Sequence, residues 1–63
     1  MDRPLHPGLF PGLLVRHTSQ PDWGLGQVQS VAGARVTVNF EHAGKITLIG
    51  EDLPIEPLPA VRA

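Results

Sequence analysis

Apolar and polar residues alternate through the middle of the chain with a period of two, the spacing that places every second side chain on one face of a β-strand. In Arg35-Val36-Thr37-Val38-Asn39-Phe40 the set Val36, Val38 and Phe40 points one way while Arg35, Thr37 and Asn39 point the other, which is the clearest strand in the sequence. The stretch Gly26-Gln27-Val28-Gln29-Ser30-Val31-Ala32 is also rich in β-formers. Val28 and Val31 fall on opposite faces of a regular strand, so a bulge or strong bend is expected near Ser30. Gly33-Ala34 then fits a tight hairpin into Arg35. Glu41-His42-Ala43-Gly44 signals a second hairpin, with the glycine taking positive φ before Lys45-Ile46-Thr47-Leu48-Ile49, whose Ile46 and Leu48 are expected to face the core. Upstream, Leu13-Leu14-Val15-Arg16-His17 predicts a first strand with Val15 inward. Gly50-Glu51-Asp52-Leu53 predicts a tight turn or one 3₁₀ turn ahead of a short last strand around Ile55.

Five short strands without any helical period predict an all-β fold: a small five-stranded antiparallel barrel, closed because closure removes exposed edges. Residues 1–11, punctuated by Pro4, Pro7, Pro11 and Gly8, read as an extended amino-terminal arm, although Leu9 and Phe10 are apolar enough to pack. Residues 12–58 form the barrel. Residues 59–63 are a carboxyl-terminal tail, since Pro54, Pro57 and Pro59 carry the chain out of the fold soon after Ile55 or Leu58.

Composition narrows the function classes. A chain of 63 residues buries only about 60% of the surface its unfolded form exposes and does not easily wall off a deep pocket, which disfavours an enzyme cleft. There is no cysteine, hence no disulfide framework and no thiolate metal site, which points to a reducing compartment. Prolines and polar residues interrupt every apolar stretch of the amino terminus, and no run approaches the roughly 18–20 apolar residues of a membrane span. A cytoplasmic location with no membrane partner is expected. Five Lys+Arg face six Asp+Glu, a formal net charge of −1, so strong nonspecific DNA binding is not expected.

The most informative stretch is Gln20-Pro21-Asp22-Trp23-Gly24-Leu25-Gly26, which joins the first two strands and holds the only tryptophan. Its alternate glycines let the backbone bend sharply and approach neighbouring chain closely, and Asp22 after Pro21 suits an Asx-type turn. Trp23 has two readings: a cap over the barrel mouth, or a partly exposed anchor of the kind enriched at binding hot spots. A phosphate-loop reading of Gly24 and Gly26 fails, because strand-like sequence follows instead of Gly-Lys-Ser/Thr and a helix. His6, His17 and His42 lack the i, i+4 spacing of a helical metal site, and no nucleophile elbow surrounds Ser19 or Ser30. If His17 lies near Asp22, it pins the loop. Arg16, Arg35 and Lys45 are the basic residues of the barrel; Arg35 and Lys45, near the hairpin ends, form either a small positive patch beside or opposite Trp23, or part of a solvated surface offset by Glu41, Glu51 and Asp52.

Three runs carry a resemblance: Pro11-Gly12-Leu13-Leu14-Val15-Arg16-His17, Pro21-Asp22-Trp23-Gly24-Leu25-Gly26-Gln27-Val28, and Val36-Thr37-Val38-Asn39-Phe40-Glu41-His42-Ala43-Gly44-Lys45. Together they resemble a family of short bacterial proteins built on a domain of unknown function. More distantly the pattern is similar to the Tudor-like, SH3-like barrel at the carboxyl end of UvrD/PcrA-type helicases and to the RNA-polymerase-interacting barrel of CarD-type regulators and transcription-repair coupling factor. The resemblance implies an SH3-like barrel and a protein-docking role, with RNA polymerase the leading partner class. It does not extend to methyl-lysine reading, because Trp23, Phe10 and Phe40 are too few for an aromatic cage and Phe40 is expected inward.

The sequence thus predicts a noncatalytic protein–protein interaction module with no cofactor and no metal. Its partner is a larger protein of the transcription or repair machinery, met through an edge strand or through Asp22, Trp23 and Gly24, with Arg16, Arg35 and Lys45 as further contacts. The alternative is a weak RNA or single-stranded DNA binder that stacks a base on Trp23 and uses the same three cations for backbone charge.

Overall fold

The computed structural model describes residues 8–58. Residues 1–7 of the expected arm and the whole of the expected tail, residues 59–63, lie outside that range. The described chain is all-β apart from one 3₁₀ turn. In order it forms β1 (Leu14–His17), the 3₁₀ turn η1 (Pro21–Trp23), β2 (Leu25–Ala32), β3 (Arg35–Phe40), β4 (Gly44–Ile49) and β5 (Ile55–Pro57). All neighbouring strands are antiparallel, and one sheet holds them in the order β4-β3-β2-β1-β5.

The alternation read from the sequence sets the faces. Val36, Val38 and Phe40 are buried while Arg35 and Asn39 are exposed. Cross-strand pairing carries the inward face from Val38 to Val28 on β2 and Ile46 on β4, and from Val36 to Val31 and Leu48. Between Val28 and Ser30 the β2–β3 register shifts, leaving Gln29 without a partner of its own. That extra residue brings Val28 and Val31 to the same face, which a regular strand could not do. Both hairpin turns fall where the turn residues require, with Gly33 at φ 61° and Gly44 at φ 78°.

The core is Val15, Val28, Val36, Val38 and Phe40, each at most 2% exposed. Leu9, Leu13, Ile46, Leu48, Leu53 and Ile55 pack partly buried around it. Burial of one such side chain stabilises by roughly 1.5–3 kcal/mol, so five of them carry much of the stability of a domain this small. Leu9 reaches the core because Phe10-Pro11-Gly12-Leu13 folds into a turn closed by Leu13 N–H donating to the Phe10 carbonyl at 3.1 Å. The part of the arm from Leu9 onward therefore packs, whereas Phe10 stays 55% exposed.

Expected and observed architecture differ in closure. Strand pairing joins β5 to β1 and β4 to β3, and no ladder joins β4 to β5 among the described residues. β5 is only three residues long and ends on Pro57, which has no N–H to give to a further ladder. The segment between β4 and β5 instead crosses from Gly50, whose N–H bonds to Ala34 O at 3.0 Å, to Pro54, whose carbonyl accepts from Thr18 N at 2.7 Å. Leu53 packs against the core on the way.

Candidate functional site

Pro21 sets the first turn of η1, as its fixed φ and missing N–H allow. The turn is closed by Trp23 N–H to Gln20 O at 3.0 Å and Gly24 N–H to Pro21 O at 3.2 Å. Asp22 is exposed, the N-cap Gln20 makes no side-chain cap bond, and the Asp22 carboxylate has no hydrogen bond among the described residues. The expected Asx-type turn is therefore replaced by a backbone-closed 3₁₀ turn that leaves the carboxylate in solvent.

Trp23 points from this turn toward the core side of the sheet and is half-buried. Its ring lies edge-on to Phe40 at 5.2 Å between centroids and to His17 at 4.6 Å; His17 and Phe40 are 6.2 Å apart. Such edge-to-face pairs contribute about 0.5–1.5 kcal/mol each beyond area burial. His17 is buried, two positions along β1 from Val15 and hence on the same inward face. Its Nδ1 accepts from the Ser19 N–H at 3.2 Å, with Ser19 Oγ 3.3 Å from the same nitrogen. His17 meets the loop through the indole and Ser19; among the described residues no hydrogen bond or ion pair joins it to Asp22.

The turn after β3 locks this arrangement. Glu41 N–H donates to Leu25 O at 2.9 Å, His42 N–H donates to Trp23 O at 3.0 Å, and Leu25 N–H donates to Glu41 Oε1 at 2.9 Å. Gly24 makes that approach possible. It sits at φ 78°, and a Cβ there would lie 2.7 Å from His42 Cδ2 and 2.9 Å from Glu41 Oε1. Gly26 serves the other face: a Cβ would lie 2.7 Å from two ring atoms of Phe40 and 2.7 Å from Val38 Cγ1. The two glycines thus answer two different contacts, one with the 41–42 turn and one with the core.

The three basic residues do not join this cluster. Arg16, Arg35 and Lys45 are exposed and alternate with inward Val15, Val36 and Ile46, so they project from the opposite face of the sheet. Arg35 pairs with Ile49 and Lys45 with Asn39, which separates the two cations by roughly 13 Å along the hairpin. Arg16 stands across from Glu56 in the β1–β5 register. The outer face also carries an open depression of about 420 Å³ lined by Leu14, Leu25, Gln27, Asn39 and Glu41. No group of three or more histidine, aspartate or glutamate side chains that could hold a metal ion occurs among the described residues, and none of their helices is long and apolar enough to cross a membrane.

Sequence reasoning singled out Asp22, Trp23 and Gly24 and linked His17 to the loop through Asp22; the structure sets His17 against the Trp23 ring and Glu41 against Gly24 and Leu25. For His17 a signal existed, since strand alternation from Val15 places it inward. For Glu41 none did, because its contact with Leu25 depends on how two turns meet in space. Neither a curated protein nor a solved structure matches the chain. A family model described as protein of unknown function DUF3553 matches residues 9–57, a span that includes β1 to β5, the Trp23 turn and its 41–42 clamp; the chain belongs to that family.

Proposed function

We propose that this protein is a noncatalytic interaction module. In this reading the sheet curls over its valine core as an SH3-like, Tudor-like barrel. It docks by its Trp23 end on a larger protein of the transcription or repair machinery, RNA polymerase being the leading candidate. The strand order β4-β3-β2-β1-β5, with a crossing segment between the last two strands, supports the barrel reading. The observation that carries the docking reading is the frame around Trp23. A half-buried indole is held by His17, Phe40 and the backbone of the 41–42 turn beside an exposed Asp22 carboxylate. An aromatic anchor already fixed in place loses little freedom on binding, which favours affinity.

Surface plasmon resonance on immobilised bacterial RNA polymerase tests it. Wild type should bind, and Asp22→Lys should weaken binding with an unchanged melting temperature, because that side chain supports nothing in the fold. Trp23→Phe should weaken it as well. Equal binding by all three removes the Trp23 end from the account, and no binding by wild type removes polymerase.

The nucleic-acid reading has less support. It requires Trp23 and the cations Arg16, Arg35 and Lys45 on one surface, whereas the indole faces the core side and the cations face the other. Phosphate affinity depends on several uncompensated cations acting together.

A further inference from the structure

The sheet has two edges, and they are not equivalent. β5 offers three residues ending in Pro57, a poor ladder partner. β4 offers six residues without proline, bonded to β3 on one side and to no strand on the other among the described residues. Its alternation can be phased. Gly50 N–H bonds to Ala34 O, and Thr37 Oγ1 and Thr47 Oγ1 lie 3.3 Å apart, as suits the closer, non-hydrogen-bonded pairs of an antiparallel ladder. The backbone N–H and C=O groups of Lys45, Thr47 and Ile49 therefore point away from β3. Their side chains are exposed, Ile49 at 74%. Beside Ile49 runs a shallow trough of about 430 Å³ formed with Ala32, Ala34, Arg35, Thr37 and Thr47.

Charge selects the occupant of this edge. In two-fold pairing with a second copy centred on Thr47, Lys45 of one copy would sit across from Ile49 of the other. That places the first copy's lysine about 10 Å from the second copy's Arg35, two strand spacings away, and the like-charge contact occurs twice. An edge lysine is also a common guard against self-pairing. A strand that brings a carboxylate opposite Lys45 and an apolar side chain opposite Ile49 meets neither obstacle. Its alternate residues would lie over Ile46 and Leu48, which are only partly buried on the inward side.

We propose that β4 receives an extended acidic and apolar peptide of a partner protein as a sixth, antiparallel strand. The carboxylate lies against Lys45 and the apolar residue lies over the trough at Ile49. This rests on the interaction-module reading and adds to it a surface apart from the Trp23 end.

The probe is a short fluorescein-labelled peptide of alternating valine and threonine with one glutamate set to fall opposite Lys45, titrated with the full chain by fluorescence anisotropy. Binding should shift the amide resonances of Lys45, Thr47 and Ile49 and protect them from exchange. Lys45→Glu should weaken binding roughly tenfold, the scale of a lost charged contact, and a peptide with lysine in place of glutamate should recover it. Thr47→Pro, which removes an N–H from the free edge and none from the β3 ladder, should weaken it similarly, with far-UV circular dichroism checking the fold. Resonance shifts gathered at Trp23, failure of the charge swap to recover binding, or a sedimenting dimer that excludes the peptide would each overturn the proposal. Peptide binding lost while polymerase binding stays sensitive to Asp22→Lys would sink the edge site alone, and the converse would sink the Trp23 reading alone.

Discussion

Replacing Gly26 by alanine adds one methyl group to the inward face of β2, and two effects of opposite sign then compete. Gly26 is not among the glycines with positive φ, so alanine fits the backbone, and reduced freedom of the unfolded chain should stabilise by about 0.4–1 kcal/mol. Against this, the new carbon would lie 2.7 Å from Phe40 Cδ1, Phe40 Cε1 and Val38 Cγ1, and overpacking a well-filled core costs about 1–3 kcal/mol. Both neighbours are at most 2% exposed, so neither can swing into solvent, and the packing term should win by roughly 1–2 kcal/mol. The whole domain has on the order of 3–9 kcal/mol at about 0.05–0.15 kcal/mol per residue, and each kcal/mol moves the midpoint by about 4–8 °C at this size. The melting temperature followed by Trp23 fluorescence should accordingly fall by roughly 5–15 °C. A shared contact should also appear as coupling. Phe40→Leu combined with Gly26→Ala should lose less than the sum of the single variants, by about 0.5–2 kcal/mol in a double-mutant cycle. A melting temperature equal to or above wild type for Gly26→Ala would refute the close approach of β2 to the Phe40 ring.

Three further outcomes are expected. Phe40→Ala removes a ring that is 2% exposed and touches both His17 and Trp23, and urea denaturation should show a loss of about 3–5 kcal/mol. An unchanged midpoint would mean that the inward face of β3 is misassigned. Gly24→Ala combines positive φ with contacts to the 41–42 turn; it should cost about 1–3 kcal/mol and speed amide exchange at His42, whose N–H bonds to Trp23 O. Exchange rates matching wild type would show that the two turns do not depend on each other. Glu41→Ala removes the carboxylate acceptor of Leu25 N–H; exchange at Leu25 should accelerate while global stability falls by no more than about 1 kcal/mol. A large global loss would place Glu41 in the core energetics instead of the local clamp.

Local periodicity made most of this fold readable. The inward set of β3, the irregularity before Val31, both hairpin turns and a short strand at Ile55 follow from residues that are near neighbours in sequence. What escaped depends on distant contacts. Asp22 after Pro21 offers an Asx-type turn, but the chain closes the same bend through Gln20 and Pro21 carbonyls, and nothing local distinguishes the two solutions. The place of Trp23 was readable as far as an anchor or a cap. Its contacts with His17 and Phe40 were not, because they depend on β1 and β3 flanking β2. Whether Arg35 and Lys45 stand beside Trp23 or opposite it depends on which face each strand shows; with Arg16 they project from the outer face, while the indole lies on the core side. Closure into a barrel was argued from the hazard of open edges; β4 keeps such an edge, and Lys45 on it is one of the devices that make an exposed edge tolerable.

The partnership of β1 with β5 has a bearing on how the chain acquires its shape. Val15 pairs with Gly26 on one flank, but on the other its partner is the distant Pro57, whereas β2, β3 and β4 join through adjacent hairpins. Closing a long loop carries an entropic cost that grows with the logarithm of its length, so the three-strand meander should be organised early and the β1–β5 seam last. During synthesis, that seam must wait until Pro57 has left the ribosome, and until then the flank of β1 stands bare to chaperones and to neighbouring nascent chains.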